Sequence, residues 1–195
     1  MRMPTPALLT VLVGLALQSC LPEPAPSEPL RLIEPTLPEA RAVPPSADAS
    51  RVRLRSVTAR THLRQPLLHQ EVDGTLWEDE RWLWTVSPAD YLAEVLEDRL
   101  AAEPAAVTVD RDPDLDVEVE LHMFQVIDSE SGPGFVVSAK VRVAGKHGRQ
   151  RIGTVTAGLP RERALPGDLA RVAGEALDQV GRGIVAFVLE GGDRG

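Results

Sequence analysis

The chain is poor in residues that build covalent or metal-bound frameworks. Its 195 residues hold one cysteine, which excludes an intramolecular disulfide and any cysteine-rich metal site. Aromatic residues make up only 4 %, so a core must rest on Leu, Val and Ala. Bases are the minority charge, 21 Lys+Arg against 29 Asp+Glu, for a formal net charge of −8 and a pI near 5.0. That balance argues against nucleic acid as the main partner, because phosphate contacts need a basic face. It argues equally against electrostatic attachment to an anionic membrane. With 43 % hydrophobic residues, one globular core is within reach of a chain this long.

The N-terminus carries an address. Arg2 precedes Ala7–Leu17, an uncharged and mostly apolar stretch of 11 residues. A spanning helix needs roughly 20 apolar residues, whereas a signal-peptide core needs about half that. The stretch ends in Leu17-Gln18-Ser19-Cys20, an aliphatic residue three before the only cysteine and a small residue just before it. This resembles a bacterial lipobox, which implies cleavage before Cys20 and acylation of that residue. The rival reading is an ordinary secretory signal. Leu21 follows, and the lack of Asp there resembles an outer-membrane sorting signal, with inner-membrane anchoring left open.

Residues 20–48 hold 8 of the 17 prolines, at 22, 24, 26, 29, 35, 38, 44 and 45. Proline removes backbone donors, so the span reads as a semi-stiff tether. A piece near Leu30–Leu37 is the candidate to lie along the domain as an edge segment. The predicted organisation is a leader at 1–19, the tether at 20–48 and one domain at 49–190.

Within the domain, R-V-R-L-R-S-V-T at 51–58 alternates, with Val52 and Leu54 on one side and Val57 after a shift, as in a half-buried strand. Strands at 67–72 and 74–84 flank an Asp73-Gly74 turn. Ser87-Pro88-Ala89-Asp90 starts a helix, with Ser at the N-cap and Pro at the first position. Leu92, Val95, Leu96 and Leu100 form its apolar stripe, and Pro104 lies beyond its end. A short strand at 107–109 precedes Leu115, Val117, Val119 and Leu121, which alternate with Asp116, Glu118 and Glu120. Strands at 135–144 and 151–159 follow, with turns at Gly132-Pro133-Gly134 and 146–148. A long amphipathic helix runs from Leu169 to Val188, where Gly174, Gly181 and Gly183 lower helix propensity but allow close packing. Gly191-Gly192 ends the fold. The predicted class is α+β, an α/β sandwich of a largely antiparallel sheet and two helices in the order β-β-β-α-β-β-β-β-α.

The segment RQPLLHQEVDGTLWEDERWLWTVSPADYLAEVLEDRL, the later strands DLDVEVELHMFQV and FVVSAKVRV, and the C-terminal helix together resemble the ABC-type transport auxiliary lipoproteins, the PqiC/YmbA-like family. The pattern covers about 140 residues plus the leader. It is one of hydrophobic positions and a Trp before the first helix, here Trp84. The stretch Trp84-Thr85-Val86-Ser87-Pro88 departs from it, since Pro follows the Trp sooner in the family. The resemblance implies a periplasm-facing outer-membrane lipoprotein serving lipid transport across the Gram-negative envelope. Its implied partners are an MCE-domain protein and the permease and ATPase of an ABC transporter, with a homo-oligomer as a further option. No cofactor and no catalysis by this subunit are implied.

Chemical motifs are absent from the sequence. His62, His69, His122 and His147 show no i, i+4 pairing, so no metal ligands are assigned. No G-x-S-x-G, P-loop or G-x-G-x-x-G after a strand is present. The run Asp110–Asp116 lacks the Gly and Glu that a calcium loop needs at its sixth and twelfth positions. The residues singled out are Cys20 for lipidation, Trp77 and Trp82 for a partner or lipid contact, and Asp116, Glu118 and Glu120 as a face for a basic partner. Trp84 reads as core, and Arg161-Glu162-Arg163 as a solvated loop. Trp77 is expected opposite Trp82 and Trp84 on its strand unless a bulge intervenes. The rival functions are an outer-membrane assembly or secretion lipoprotein, and a lipoprotein hydrolase.

Overall fold

The computed structural model describes residues 29–130, 132–146, 148–161 and 166–190, with the backbone alone at residue 166. The predicted leader, Cys20, His147, Glu162, Arg163 and Gly191-Gly192 lie outside the described residues.

Among the described residues the order is β1 (Arg31–Ile33), β2 (Ser50–Ala59), β3 (Pro66–Gln70), β4 (Leu76–Trp84), α1 (Pro88–Ala101), β5 (Ala106–Thr108), β6 (Leu115–Ile127), β7 (Gly134–Gly145), β8 (Gln150–Pro160) and α2 (Pro166–Leu189). The α+β class and the two helices are as the pattern predicts. The order gains one strand, β1, inside the Pro-rich span. Pro29 and Pro35 flank it, while residues 30–34 keep their amide donors, and an edge position tolerates such neighbours.

β6 is the centre of the single eight-stranded sheet. One edge of β6 pairs with β7 along its whole length, and β8 lies beyond. The other edge is shared end to end: β2 runs parallel to Leu115–Leu121, and β3 runs parallel to Gln125–Ile127. β5 extends the sheet beyond β2, and β4 then β1 extend it beyond β3. The long ladders β6–β7 and β7–β8 and the β3–β4 hairpin are antiparallel. The parallel pairs arise where β2, β3 and β1 return beside strands distant in sequence, which strand alternation does not reveal.

β6 carries a bulge at His122, since Leu121 pairs with Ala139 and Met123 with Ser138. The extra residue reverses parity, as bulges do. Val117, Val119 and Leu121 face inward before it; Phe124 and Val126 face inward after it. A matching irregularity at Arg55 produces the shift from Leu54 to Val57 that the sequence shows in β2.

Both helices pack on one face, α1 over β2, β5 and β6, and α2 over β7 and β8, and they touch each other. The Ser87 side chain accepts from the Asp90 amide at the start of α1. The α2 glycines are contact points: a Cβ at Gly181 would fall 2.5 Å from Val95 Cγ1, and at Gly183 2.6 Å from Val155 Cγ1. Gly174 faces the Thr36 carbonyl so closely that any side chain would overlap it. Between the helices, buried Asp178 pairs with Arg99 of α1 and Arg182 of α2. Trp84, Tyr91, Phe124 and Phe135 form one edge-to-face cluster, with Trp84 and Phe124 centroids 4.8 Å apart.

The Pro-rich segment is part of this body from β1 onward. The Ile33 carbonyl accepts from Thr85 at 3.0 Å, and the Thr36 amide donates to the Ala170 carbonyl at 2.9 Å. Val43 and Ser46 donate to the carbonyls of Ala101 and Pro104. The span therefore straps the domain from the β4 edge, across α2, to the end of α1.

The parity reversal makes a direct prediction. Phe124→Ala is expected to cost about 3–5 kcal/mol, the usual range for a buried aromatic truncation, and Met123→Ala much less. Urea unfolding of both variants checks it, because uninterrupted alternation from Leu121 would put Met123 inside and reverse the ranking.

Candidate functional site

A groove of about 280 Å³ opens where β3 and β4 meet the start of α2. Its floor is Leu67 and Leu169, and Trp77 and Trp82 line it. The register of β4 explains why these two tryptophans meet. His69 pairs with Trp77 and Leu67 with Asp79, but Pro66 pairs with Leu83, so residues 80–82 are looped out of the ladder. The Asp79 side chain stabilises this kink. Its Oδ1 accepts from the Arg81 backbone amide at 3.1 Å, and its two oxygens take the Arg81 guanidinium at 3.0 and 3.1 Å. Side-chain to backbone bonds two residues apart compete with the regular ladder in this way. The kink is the bulge on which the sequence expectation turned, and it brings Trp77 to the groove with Trp82. Trp84, beyond it, is buried in the core.

Each tryptophan has a partner. The Trp77 ring stacks on His69 with centroids 4.2 Å apart and planes 7° apart. The Arg31 guanidinium lies 4.9 Å from the Trp82 ring centroid, a cation–π contact that ties β1 to the groove. Arg81 and Arg161 complete the lining. Arg161 was expected in a solvated loop; its amide bonds to the Pro133 carbonyl at 2.9 Å, which holds it beside the groove. Burial pushes the His69 imidazole below its ordinary pKa, an effect partly opposed by the Asp79 charge. The hydrogen bond from the Arg81 side chain holds the Asp79 carboxyl below the usual carboxylate range.

The acidic row of β6 lies on the opposite sheet face from the helices and is matched within the chain. Arg53 takes Asp116 in a two-point bond of 2.6 and 2.9 Å. Arg55 and Arg142 reach Glu118 at 3.4 and 3.3 Å, and Glu120 pairs with His122 at 2.9 Å. At the strand entrance Lys146 bridges Asp112 and Asp114, and Arg51 pairs with Asp112. The Asp116 carboxyl is lowered chiefly by its Arg53 hydrogen bond, and that of Glu120 by His122. Exposed pairs of this kind contribute little to stability. The signal was present as bases at 51, 53 and 55 and acids at 112, 114, 116 and 118. The structure thus joins Trp77 and Trp82 in one groove and leaves Asp116, Glu118 and Glu120 on a separate, internally compensated face.

No family model matches the chain, and no curated protein matches it. Solved structures do. Protein XCC0632 from Xanthomonas campestris, described as a DUF330 protein, superposes with a TM-score of 0.66 at 18 % identity, over 82 % of this chain and 95 % of that one. An uncharacterized protein gives 0.65 at 14 % identity, over 83 % and 99 %. Protein CT253 from Chlamydia trachomatis gives 0.55 at 14 % identity, over 72 % and 96 %. At these identities the likeness establishes the fold.

The groove predicts a pH dependence. Unfolded His69 takes up a proton as pH falls below about 6.5, whereas folded His69 does so only at lower pH, so stability falls through that interval. Asp79 acts lower down: its contribution is complete above about pH 4 and is lost as pH drops through its lowered value. The urea midpoint is expected to fall between pH 7 and 5, and His69→Gln to remove part of that fall. Asp79→Asn is expected to cost about 1–2 kcal/mol at pH 7. An unchanged pH slope in His69→Gln would contradict the assignment.

Proposed function

We propose that the chain is a lipid-anchored, periplasm-facing accessory subunit of an ABC/MCE-type lipid transport system of the Gram-negative envelope. The observation that carries the reading is the shared fold with a DUF330 protein along nearly its whole length, DUF330 being the PqiC/YmbA-like family that the sequence pattern resembles. Cys20, directly after the apolar leader, supplies the anchor. In this reading the subunit makes and breaks no bond; the ATPase supplies the energy, and the domain docks an MCE-domain protein at the outer membrane.

The groove is the contact surface that suits such a role. It combines two tryptophans with arginines, the residue types enriched where binding energy concentrates. The acidic face of β6 is less suited, since its carboxylates already have bases beside them.

Affinity capture of the protein from detergent-solubilised envelopes, with co-eluting chains identified by mass spectrometry, tests the reading. Recovery of an MCE-domain protein or its permease is expected, with loss of recovery in Trp82→Ala. Recovery of a β-barrel or secretion component alone would overturn the transport role in favour of an assembly module.

A further inference from the structure

We propose that the turn between β3 and β4 is a membrane-contacting surface, on which Val72, Leu76 and Trp77 enter the interface of a zwitterionic bilayer. The proposal rests on the lipidation of Cys20 given above and adds which end of the domain meets the lipid.

Eight large apolar side chains are exposed among the described residues. Three of them cluster on this one turn: Val72 at 68 %, Leu76 at 47 % and Trp77 at 39 % exposure. A fourth, Leu30 at 66 %, precedes β1, which is the edge strand beside β4. The turn itself is firmly built. Gly74 adopts φ 89°, its amide donates to the Glu71 carbonyl, and the Asp73 carboxylate accepts from the Thr75 amide at 2.8 Å. These apolar side chains are therefore displayed on a fixed scaffold.

The path of the chain gives the direction. β1 runs parallel to β4, with Arg31 beside Trp82 and Ile33 beside Trp84. The chain thus enters β1 from the side on which β4 begins, the side of the turn. Leu76 pairs with Gln70 and Leu83 with Pro66, four residues apart on β3, so the turn stands about 13 Å forward of the entry to β1 at roughly 3.3 Å per residue. Cys20 lies eleven residues before Arg31. Eleven residues of a Pro-rich spacer reach at most about 34 Å. The reach of the leash exceeds the forward reach of the turn. An acyl group in the bilayer therefore leaves the turn within reach of the surface.

Chemistry selects the surface. A tryptophan with aliphatic neighbours suits the boundary between headgroups and acyl chains. Glu71, Asp73 and Glu78 surround the turn, so an anionic surface would repel it and a zwitterionic one would not. The contact is peripheral, since among the described residues no helix is long and apolar enough to cross a membrane.

The test uses the lipidated protein purified from envelopes and bound to phosphatidylcholine vesicles with brominated acyl chains. Bromine quenches tryptophan at the interface. Quenching is expected in the wild type, lost in Trp77→Phe, and reduced in Val72→Asp/Leu76→Asp while the protein still floats with the vesicles. Acylated, vesicle-bound protein quenched equally in the wild type and Trp77→Phe overturns the proposal and leaves the anchor intact. The mass of the N-terminal peptide reads acylation separately, and an unmodified Cys20 overturns both the anchor and the contact that depends on it.

Discussion

The architecture depends on β6 being hydrogen-bonded along both edges while changing its inward face once. Its partner β7 follows it throughout, but on the other edge β2 gives way to β3 at the level of the bulge. Ala59 pairs with Leu121 before the extra residue, and Leu68 with Gln125 after it. One strand therefore serves two half-sheets. The bulge at His122 keeps Phe124 and Val126 in the core; with His122 paired in an uninterrupted ladder, Met123 and Gln125 would face inward and the aromatic cluster would lose its centre.

The two half-sheets use their side chains differently. Around β2 the solvent face is a lattice of opposite charges that satisfies itself. Around β3 and β4 the apolar and aromatic groups are not all absorbed. Of the seven aromatic residues, four make the core cluster, Phe187 lies under Arg151, and Trp77 and Trp82 remain for the groove. Buried Trp84 fixes the strand end beyond the kink, and Asp79 with Arg81 fixes the kink itself. The groove is thus held from both sides by groups that do not line its floor. The strap adds a third restraint through Arg31 on Trp82 and Thr36 on α2.

Much of the fold was legible in the sequence because periodicity and capping are local. The alternation at 115–121, the Ser87-Pro88-Asp90 helix start and the apolar stripe of the last helix each declare themselves within one or two turns. The shift after Leu54 even marked a bulge. The site was half legible. Trp77 and Trp82 drew attention by composition, but their common face depends on a kink made by one carboxylate reaching an amide two residues away. Such a bond leaves no periodic trace. Arg161 joins the groove from a strand end far away in sequence, and the bases that answer β6 come from β2 and β7. The Pro-rich span reads as a semi-stiff tether with Leu30–Leu37 as a candidate edge segment; β1 lies in that piece, and beyond it the amides of Val43 and Ser46 also bond to the domain.

This Pro-rich chain is built into the sheet from residue 31, so that an anchor at Cys20 would lie within eleven residues of the groove end. Amide hydrogen exchange on the isolated protein reads this at Thr36, Val43, Ser46 and Thr85, whose amides all donate across the contact between strap and domain. Exchange slowed toward the rate of global unfolding is expected at Thr36 and Thr85. Exchange there at the rate of an unstructured chain would contradict it and return the whole span to the role of a loose tether.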